Sequence, residues 1–160
     1  MKHVVAACSL AFLICFVSRA AEEPNGIPVG SVAPALEGSA WASDDGKAPE
    51  MKGKVLLIDF WFEKCGPCVA GMPKVQEIAK KYAEKGLVVV GASIDPPDVV
   101  KAFRAKKGIA YAMLAETKTD PFQQEIFPYL FLIGKDGKVA WKGDMDVKVL
   151  SEKIEAELAR

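Results

Sequence analysis

Histidine is nearly absent from this 160-residue chain, which has one, His3, and only four cysteines. Basic and acidic side chains are equal in number, at 21 each, and no block of like charge stands out. This charge pattern does not favour nucleic acid or a polybasic membrane contact. The sequence also lacks internal repeats, which excludes a repeat array. Half of the residues are apolar and a quarter are charged, a composition typical of one globular domain with its own core.

The first twenty residues have the pattern of an export signal. Lys2 precedes the apolar run Val4–Val17, and Ser18–Ala20 ends in a small residue with another small residue two positions before it. The run is short for a membrane span, and the small residues suit signal peptidase. We therefore predict a signal peptide over residues 1–20 and an exported protein, in the bacterial periplasm or an equivalent compartment. An uncleaved N-terminal membrane anchor is the alternative.

Cleavage after Ala20 would leave Cys65 and Cys68 as the only cysteines and would remove His3. Structural zinc sites usually take four ligands from Cys, His or carboxylate, so a zinc site is a poor alternative and we predict no metal. Disulfides persist in exported proteins, where a C-x-x-C pair is most simply a redox pair that needs no bound cofactor. A purely structural disulfide is another alternative, although a loop this short would stabilise the chain little.

Periodicity along the chain predicts an α/β domain. Residues 21–34 are rich in proline and glycine and are interpreted as a linker, and residues 35–160 are interpreted as the domain. The apolar runs Lys54–Phe62 and Leu87–Ile94 predict strands buried on both faces. Early alternation of strands and helices implies parallel strands with crossover helices, and a later hairpin adds antiparallel edge strands. The expected architecture is a mixed central sheet with helices on both faces.

The remaining pattern predicts three helices and the turns between the elements. The first helix follows the cysteines, and the second opens at Pro96-Pro97 with Asp95 as its cap. Asp136-Gly137 predicts the turn of the antiparallel hairpin, and a last amphipathic helix follows that hairpin. A further turn signal at Asp44-Asp45-Gly46 predicts a short hairpin before the first core strand.

Cys65 stands where a buried strand turns into a helix, and this position predicts its chemistry. The free N–H groups and the dipole at a helix start favour an anion, so a thiolate there is stabilised and its pKa falls. Cys68 follows one turn later on the same face, where its thiol can attack a mixed disulfide formed at Cys65. Gly66 and Pro67 keep the loop tight and are predicted to contact the substrate. The arrangement predicts two-step thiol–disulfide exchange.

The segment Ile58–Cys68, with the sequence IDFWFEKCGPC, resembles the active-site segment of thioredoxin, which pairs a D-F-W strand with C-G-P-C. Pro73, five residues after Cys68, matches the proline that kinks the active-site helix of that family. The longer layout, with Asp45-Gly46-Lys47 before the first core strand, is similar to exported thioredoxin-like proteins that include cytochrome c maturation reductants. The resemblance covers residues 27–158 and implies a thioredoxin-like fold with an N-terminal extension.

Single residues take on expected roles within this resemblance. Asp59 matches the buried carboxylate behind the cysteine pair, whose raised pKa would make it a proton acceptor for Cys68. A partly solvated strand acid without a role is the alternative. Pro128 matches the family's cis-proline, with a trans-proline at the start of an edge strand as the alternative. Phe127 precedes it, and its backbone would pair with an incoming peptide. Gly143 matches a glycine near the rim of that groove.

Three residues depart from the family pattern. Lys64 replaces the aromatic residue before the first cysteine, and its cation would either lower the pKa of Cys65 or stay solvated. Gly71 stands where the cytochrome-maturation branch often carries a glutamate, and Phe127 stands where smaller residues are common, so partner choice is expected to differ. The resemblance implies cysteine-containing protein substrates and a membrane-borne redox donor or acceptor. A non-catalytic peptide-binding module and a redox sensor are the alternative functions.

Overall fold

The computed structural model describes residues 25–160, which form one six-stranded mixed sheet and three α-helices. The strands are β1 (Ala40–Ala42), β2 (Val55–Trp61), β3 (Leu87–Ser93), β4 (Ala112–Ala115), β5 (Tyr129–Ile133) and β6 (Val139–Gly143). The helices are α1 (Gly66–Tyr82), α2 (Pro97–Lys107) and α3 (Val147–Leu158), with 3₁₀ turns at Ala83–Lys85 and Asp120–Phe122. The predicted signal peptide, with His3, lies outside the described residues. No helix within the described residues is long and apolar enough to cross a membrane.

The strands follow the order β1-β4-β3-β2-β5-β6 across the sheet. β2 is parallel to β3, and β3 is parallel to β4, as the predicted crossover helices require. β5 runs antiparallel to β2 and β6 antiparallel to β5, which confirms the predicted hairpin. Every residue of β2 except Leu56 is buried, so the predicted central strand is confirmed as well. The sequence that follows β2 therefore starts from the middle of the sheet.

The side chains of β2 alternate between two cores on opposite faces of the sheet. Leu57 and Trp61 belong to the first core, which also contains the buried residues of all three α-helices and the two cysteines. Ile58 and Phe60 belong to the second core, in which Phe122 of a 3₁₀ turn and the N-terminal segment cover the sheet. The mixed sheet is as predicted. The three α-helices pack on its first face, and the helical element on its second face is this 3₁₀ turn.

The first described residues pack along this second face. The N–H of Gly26 donates to the carbonyl of Gln123, and the N–H of Ile27 donates to the carbonyl of Phe122, both at 2.9 Å. Ile27 is itself buried in the second core. Residues 25–34, which are the described part of the predicted linker, are therefore tied to the domain by backbone hydrogen bonds.

A buried lysine fixes the same segment from β6. The side chain of Lys142 is 7% exposed and its Nζ donates to the carbonyls of Asn25 and Gly26, at 2.7 and 2.9 Å. Gly26 has a φ of +74°, and a Cβ at this position would lie 2.4 Å from Cζ of Phe131. The close approach of the backbone to that ring therefore requires glycine.

Two local predictions are wrong. The turn at Asp44–Gly46 does not close a hairpin, because β1 pairs antiparallel with β4, the open edge of the parallel strands, whose backbone groups need a partner. Asp95 does not cap α2, whose cap residue is Pro96. The Asp95 carboxylate instead accepts a hydrogen bond from the N–H of Glu63, at 2.6 Å.

Candidate active site

The two cysteines lie at the start of α1, directly after the carboxyl end of β2. They form a disulfide with their Cα atoms 5.2 Å apart, and Cys65 is the cap residue of the helix. The N–H of Cys68 lies 3.2 Å from Sγ of Cys65. Cys65 and Cys68 are 5% and 3% exposed, so exposure does not distinguish them. What distinguishes them is that only the sulfur of Cys65 receives a backbone N–H of the helix start.

The local sequence explains this helix start. Pro67 occupies the first turn of α1, where its missing N–H costs no helical hydrogen bond. The first turn contains no acidic residue, so an anion at Cys65 would meet no like charge there. Gly66 and Pro67 are exposed and form the accessible surface between the buried cysteines. The predicted kink residue, Pro73, lies inside α1, and the helix continues past it.

The peptide bond between Phe127 and Pro128 is cis, as the resemblance implies. Pro128 directly precedes β5, which pairs antiparallel with β2, so it lies at the end of the sheet that carries the cysteines. An open groove of about 730 Å³ runs beside the pair and is lined by Pro67, Pro128 and Met145 among others. The predicted contacts at Pro67 and Pro128 therefore share one surface.

An aromatic pair borders this surface. The ring of Phe127 packs edge-to-face on the ring of Phe62, with centroids 5.3 Å apart and an interplanar angle of 85°. Ile126, the next residue toward the N-terminus, is 53% exposed. The large residue at position 127 thus packs against the aromatic residue that directly follows β2, and the exposed residue next to it is apolar.

The other predicted positions divide between the groove and the surroundings. Gly71 lines the groove, and a Cβ there would lie 3.5 Å from Cε of Met145, so packing does not require glycine. Lys64 is exposed. Gly143 lies in β6 opposite Leu130, and a Cβ there would lie 2.8 Å from the ring of Trp141. The absence of a side chain at Gly143 leaves room for that ring, and the role at the groove rim stays a prediction.

Asp59 is a buried carboxyl in the middle of the sheet, 2% exposed, and it pairs with Gly91 and Leu130 of the two neighbouring strands. Leu57 and Trp61, two residues to either side, belong to the core that contains the cysteines, so Asp59 points into that same core. Burial raises the pKa of Asp59 to about 7. A partly solvated strand acid is therefore excluded, and the carboxyl can exchange a proton near neutral pH.

One residue that shapes the loop before the cysteines was not predicted from the sequence. Oδ2 of Asp95 accepts the N–H of Glu63 at 2.6 Å and the hydroxyl of Ser93 at 3.1 Å. These bonds fasten the chain just before Cys65 to the end of β3. The available signal was the position of Asp95 after a parallel strand, because the carboxyl ends of such strands meet at one edge. The prolines that follow it pointed to a helix cap instead.

A family model described as AhpC/TSA family matches residues 29–142, which include the cysteine pair, Asp59 and Pro128. The chain belongs to the AhpC/TSA family. Among relatives of this AhpC/TSA-family chain, the thiol-disulfide oxidoreductase ResA of Bacillus thuringiensis is 35% identical over 98 residues. That alignment covers 56% of this chain and 54% of the relative. The chain thus spans about half the length of this ResA relative.

Solved structures confirm the thioredoxin-like fold of this AhpC/TSA-family chain. A DsbE-type thiol:disulfide interchange protein from Chlorobium tepidum is 25% identical, with a TM-score of 0.68 over 82% of this chain and 99% of that chain. A thiol-disulfide isomerase from Corynebacterium glutamicum has a TM-score of 0.69 at 22% identity, over 80% of this chain and 97% of that chain. Both likenesses extend well beyond the active-site segment.

Proposed function

We propose that this AhpC/TSA-family protein is an exported thiol–disulfide oxidoreductase whose redox centre is the pair Cys65 and Cys68. The observation that carries the proposal is the disulfide at the start of α1, next to a groove lined by cis-Pro128. The relatives that are named thiol-disulfide oxidoreductases support it. The substrates are proteins that present cysteines to the groove.

The exchange takes two displacement steps. The thiolate of Cys65 attacks a disulfide of the substrate, forms a mixed disulfide and releases the first substrate thiolate. Cys68 then loses its proton and attacks Sγ of Cys65, which closes the protein disulfide and releases the second substrate thiolate. Two electrons pass to the substrate, and the reverse sequence oxidises a substrate dithiol. Asp59, with a pKa of about 7, accepts the proton of Cys68.

The groove and the N-terminal sequence define the setting of this reaction. The backbone of Phe127 pairs with the incoming peptide as a short strand, and Gly66, Pro67 and Pro128 contact it beside the disulfide. Residues 1–20 direct export, and a membrane-borne donor or acceptor restores the redox state of the pair. In the alternative, in which the first twenty residues stay attached, the same domain works as a membrane-anchored enzyme.

Insulin reduction in the presence of dithiothreitol tests the proposal. The purified protein should accelerate precipitation of the insulin B chain well above dithiothreitol alone. The matched control is the double variant Cys65→Ser with Cys68→Ser, which keeps the fold and removes both sulfurs. A peptide-binding module or a redox sensor would give no turnover, so a wild-type rate equal to that of the control would reject the oxidoreductase. Equilibration with glutathione then gives the reduction potential and the favoured direction of electron flow.

A further inference from the structure

Within residues 25–160, three buried side-chain polar atoms have no hydrogen-bond partner: Oδ1 of Asp59, Nε1 of Trp61 and Oη of Tyr111. Buried polar atoms are nearly always paired, because leaving one unpaired costs the free energy of its desolvation. Exceptions gathered in one place call for a common explanation. All three belong to side chains on the face of the sheet that carries the cysteines.

Gly91 of β3 brings these side chains together. It pairs with Asp59 in the parallel ladder between β2 and β3, so the two Cα atoms lie in adjacent strands about 5 Å apart. A Cβ on Gly91 would lie 3.0 Å from Nε1 of Trp61 and 3.3 Å from Cε2 of Tyr111. The missing side chain of Gly91 thus leaves room for the indole N–H of Trp61 and the ring of Tyr111 to approach the strand next to Asp59.

Tyr111 reaches Gly91 from the chain just before β4. Nε of Arg104 donates to the carbonyl of Tyr111 at 3.1 Å, which fixes the backbone from which the ring projects. Burial and the negative charge of Asp59 raise the pKa of Tyr111, so its hydroxyl keeps its proton. The phenol can therefore donate and accept, the indole can only donate, and the carboxylate can only accept.

The three groups suit one internal water molecule. A buried water typically makes two to four hydrogen bonds to polar groups that otherwise lack partners. Here it would accept from Trp61 and Tyr111 and donate to the carboxylate of Asp59. The hydroxyl of Tyr111 does not bond Oδ1 of Asp59 directly, so a water would supply the connection between them.

We propose that Tyr111 and Trp61 hold an internal water on Asp59 and so set how readily this carboxyl gives and takes a proton. They are positioning residues, because they act through Asp59 and do not touch the substrate. The proposal rests on the proposed function, in which Asp59 takes the proton of Cys68. Burial is the cause of the shifted pKa of Asp59, and the ionisable groups that face it are Tyr111 and the cysteine pair.

A carboxyl titration tests this directly. The protein is kept in the disulfide form, in which the cysteines do not titrate, and the ¹³Cγ resonance of Asp59 is followed with pH. Tyr111→Phe should raise the midpoint by about one pH unit or more, because a hydrogen bond that favours the charged form is lost. The matched control is Tyr82→Phe, which removes another hydroxyl from the same core, one that bonds Glu155 at 2.6 Å. An unchanged midpoint in Tyr111→Phe would overturn the proposal.

A measurement on the wild-type protein keeps the test valid if Tyr111→Phe does not fold. The ¹³Cζ resonance of Tyr111 should move with pH at the same midpoint as ¹³Cγ of Asp59, because one water joins the two groups. A Tyr111 resonance that stays flat through the titration of Asp59 would contradict the connection. Neither titration depends on turnover, so a protein that fails to reduce insulin rejects the proposed function alone, and an unchanged midpoint in an active protein rejects the role of Tyr111 alone.

Discussion

Two ionisable side chains are buried on opposite faces of one sheet, and their surroundings differ. Lys142 gives its ammonium to the carbonyls of Asn25 and Gly26, whereas Oδ1 of Asp59 has no partner among the described residues. The two hydrogen bonds of Lys142 tie the N-terminal segment to the sheet, so this buried side chain serves the fold. An unpaired buried carboxyl has a shifted pKa and can exchange its proton, which is what a proton acceptor requires.

The packing of the two faces follows the same division. On the second face Phe60, Phe122 and Phe131 form an edge-to-face cluster, with ring centroids 5.3 to 5.8 Å apart. This face has the N-terminal segment closed over it. The first face carries the disulfide and the unpaired polar atoms of Asp59, Trp61 and Tyr111. The proposed chemistry thus lies on the first side of β2, and changes on each side should have separate effects on it.

The largest expected effect is on exchange, and it belongs to the first face. Cys68→Ser should stop turnover in the insulin assay and leave substrates bound to Cys65 as mixed disulfides, since nothing remains to resolve them. Expression of this variant in its own host, followed by non-reducing electrophoresis, should show protein adducts that dithiothreitol removes. Adducts that form on the matched variant Cys65→Ser and not on Cys68→Ser would reverse the roles of the two cysteines.

Asp59→Asn should then stabilise the protein at high pH. Its carboxyl titrates at 3.8 in the unfolded chain and at about 7 when folded. Between these values the folded chain keeps a proton that the unfolded chain has lost, so wild-type stability falls as pH rises from 4 to 7. The variant lacks this penalty and should exceed the wild type by about 4 kcal/mol above pH 7, but not near pH 4. Urea unfolding of the disulfide form across pH measures the difference.

The same variant should lose rate while it gains stability. Stopped-flow exchange should slow by about 10²-fold, mostly at the step in which Cys68 loses its proton. Unchanged rates at every pH would leave Asp59 as a structural acid. A stability difference that does not vary with pH would show that the carboxyl is not the titrating group.

Lys142→Met sharpens the comparison from the other face. Methionine keeps the apolar stem but leaves the carbonyls of Asn25 and Gly26 without their donor, so unfolding should become easier by about 2 kcal/mol. The pH dependence of exchange should stay as in the wild type. Lys138→Met, an exposed change at the start of the same hairpin arm, is the control and should have little effect on stability. If Lys142→Met shifts the pH dependence of the exchange rate, the two faces do not act separately.

The smallest expected effect comes from the loop before the cysteines. Asp95→Ala removes the acceptor of the Glu63 N–H and should cost about 1 kcal/mol of stability. Because that bond holds the approach to Cys65, the exchange rate should fall as well, by less than in Asp59→Asn. Asp98→Ala, an exposed acid three residues further on, serves as the control. If Asp95→Ala and Asp98→Ala have the same stability and the same exchange rate, Asp95 does not support the site.

The sequence predicted the parts of the site that depend on local pattern. An apolar run with one acid predicted the buried strand around Asp59, and the C-G-P-C motif predicted the helix start at Cys65. The cis bond at Pro128 followed from the family resemblance. The unpredicted parts depend on contacts between distant residues. The ring of Tyr111 approaches Gly91, the partner of Asp59 in β3, only because glycine leaves room for it.

Lys142 shows why the second face was harder to predict. Lysine is usually exposed, and its partners here are backbone carbonyls of a segment whose prolines and glycines predicted a linker. Every residue has a backbone carbonyl, so a hydrogen bond to one cannot be predicted from residue type. The pairing of β1 with β4 has the same origin, because an open sheet edge selects its partner by position and not by side chains.

The hydrogen bonds from Lys142 to the carbonyls of Asn25 and Gly26 also have a mechanical consequence. A pull that enters the domain at Asn25 is borne first by the ammonium of Lys142 on β6, an edge strand, and by the backbone bonds of Gly26 and Ile27. β5 lies between that edge and β2, so the strand that leads to the cysteines is not the first to take the load. A load on the N-terminal segment therefore reaches β6 before it reaches β2 and the cysteines that follow β2.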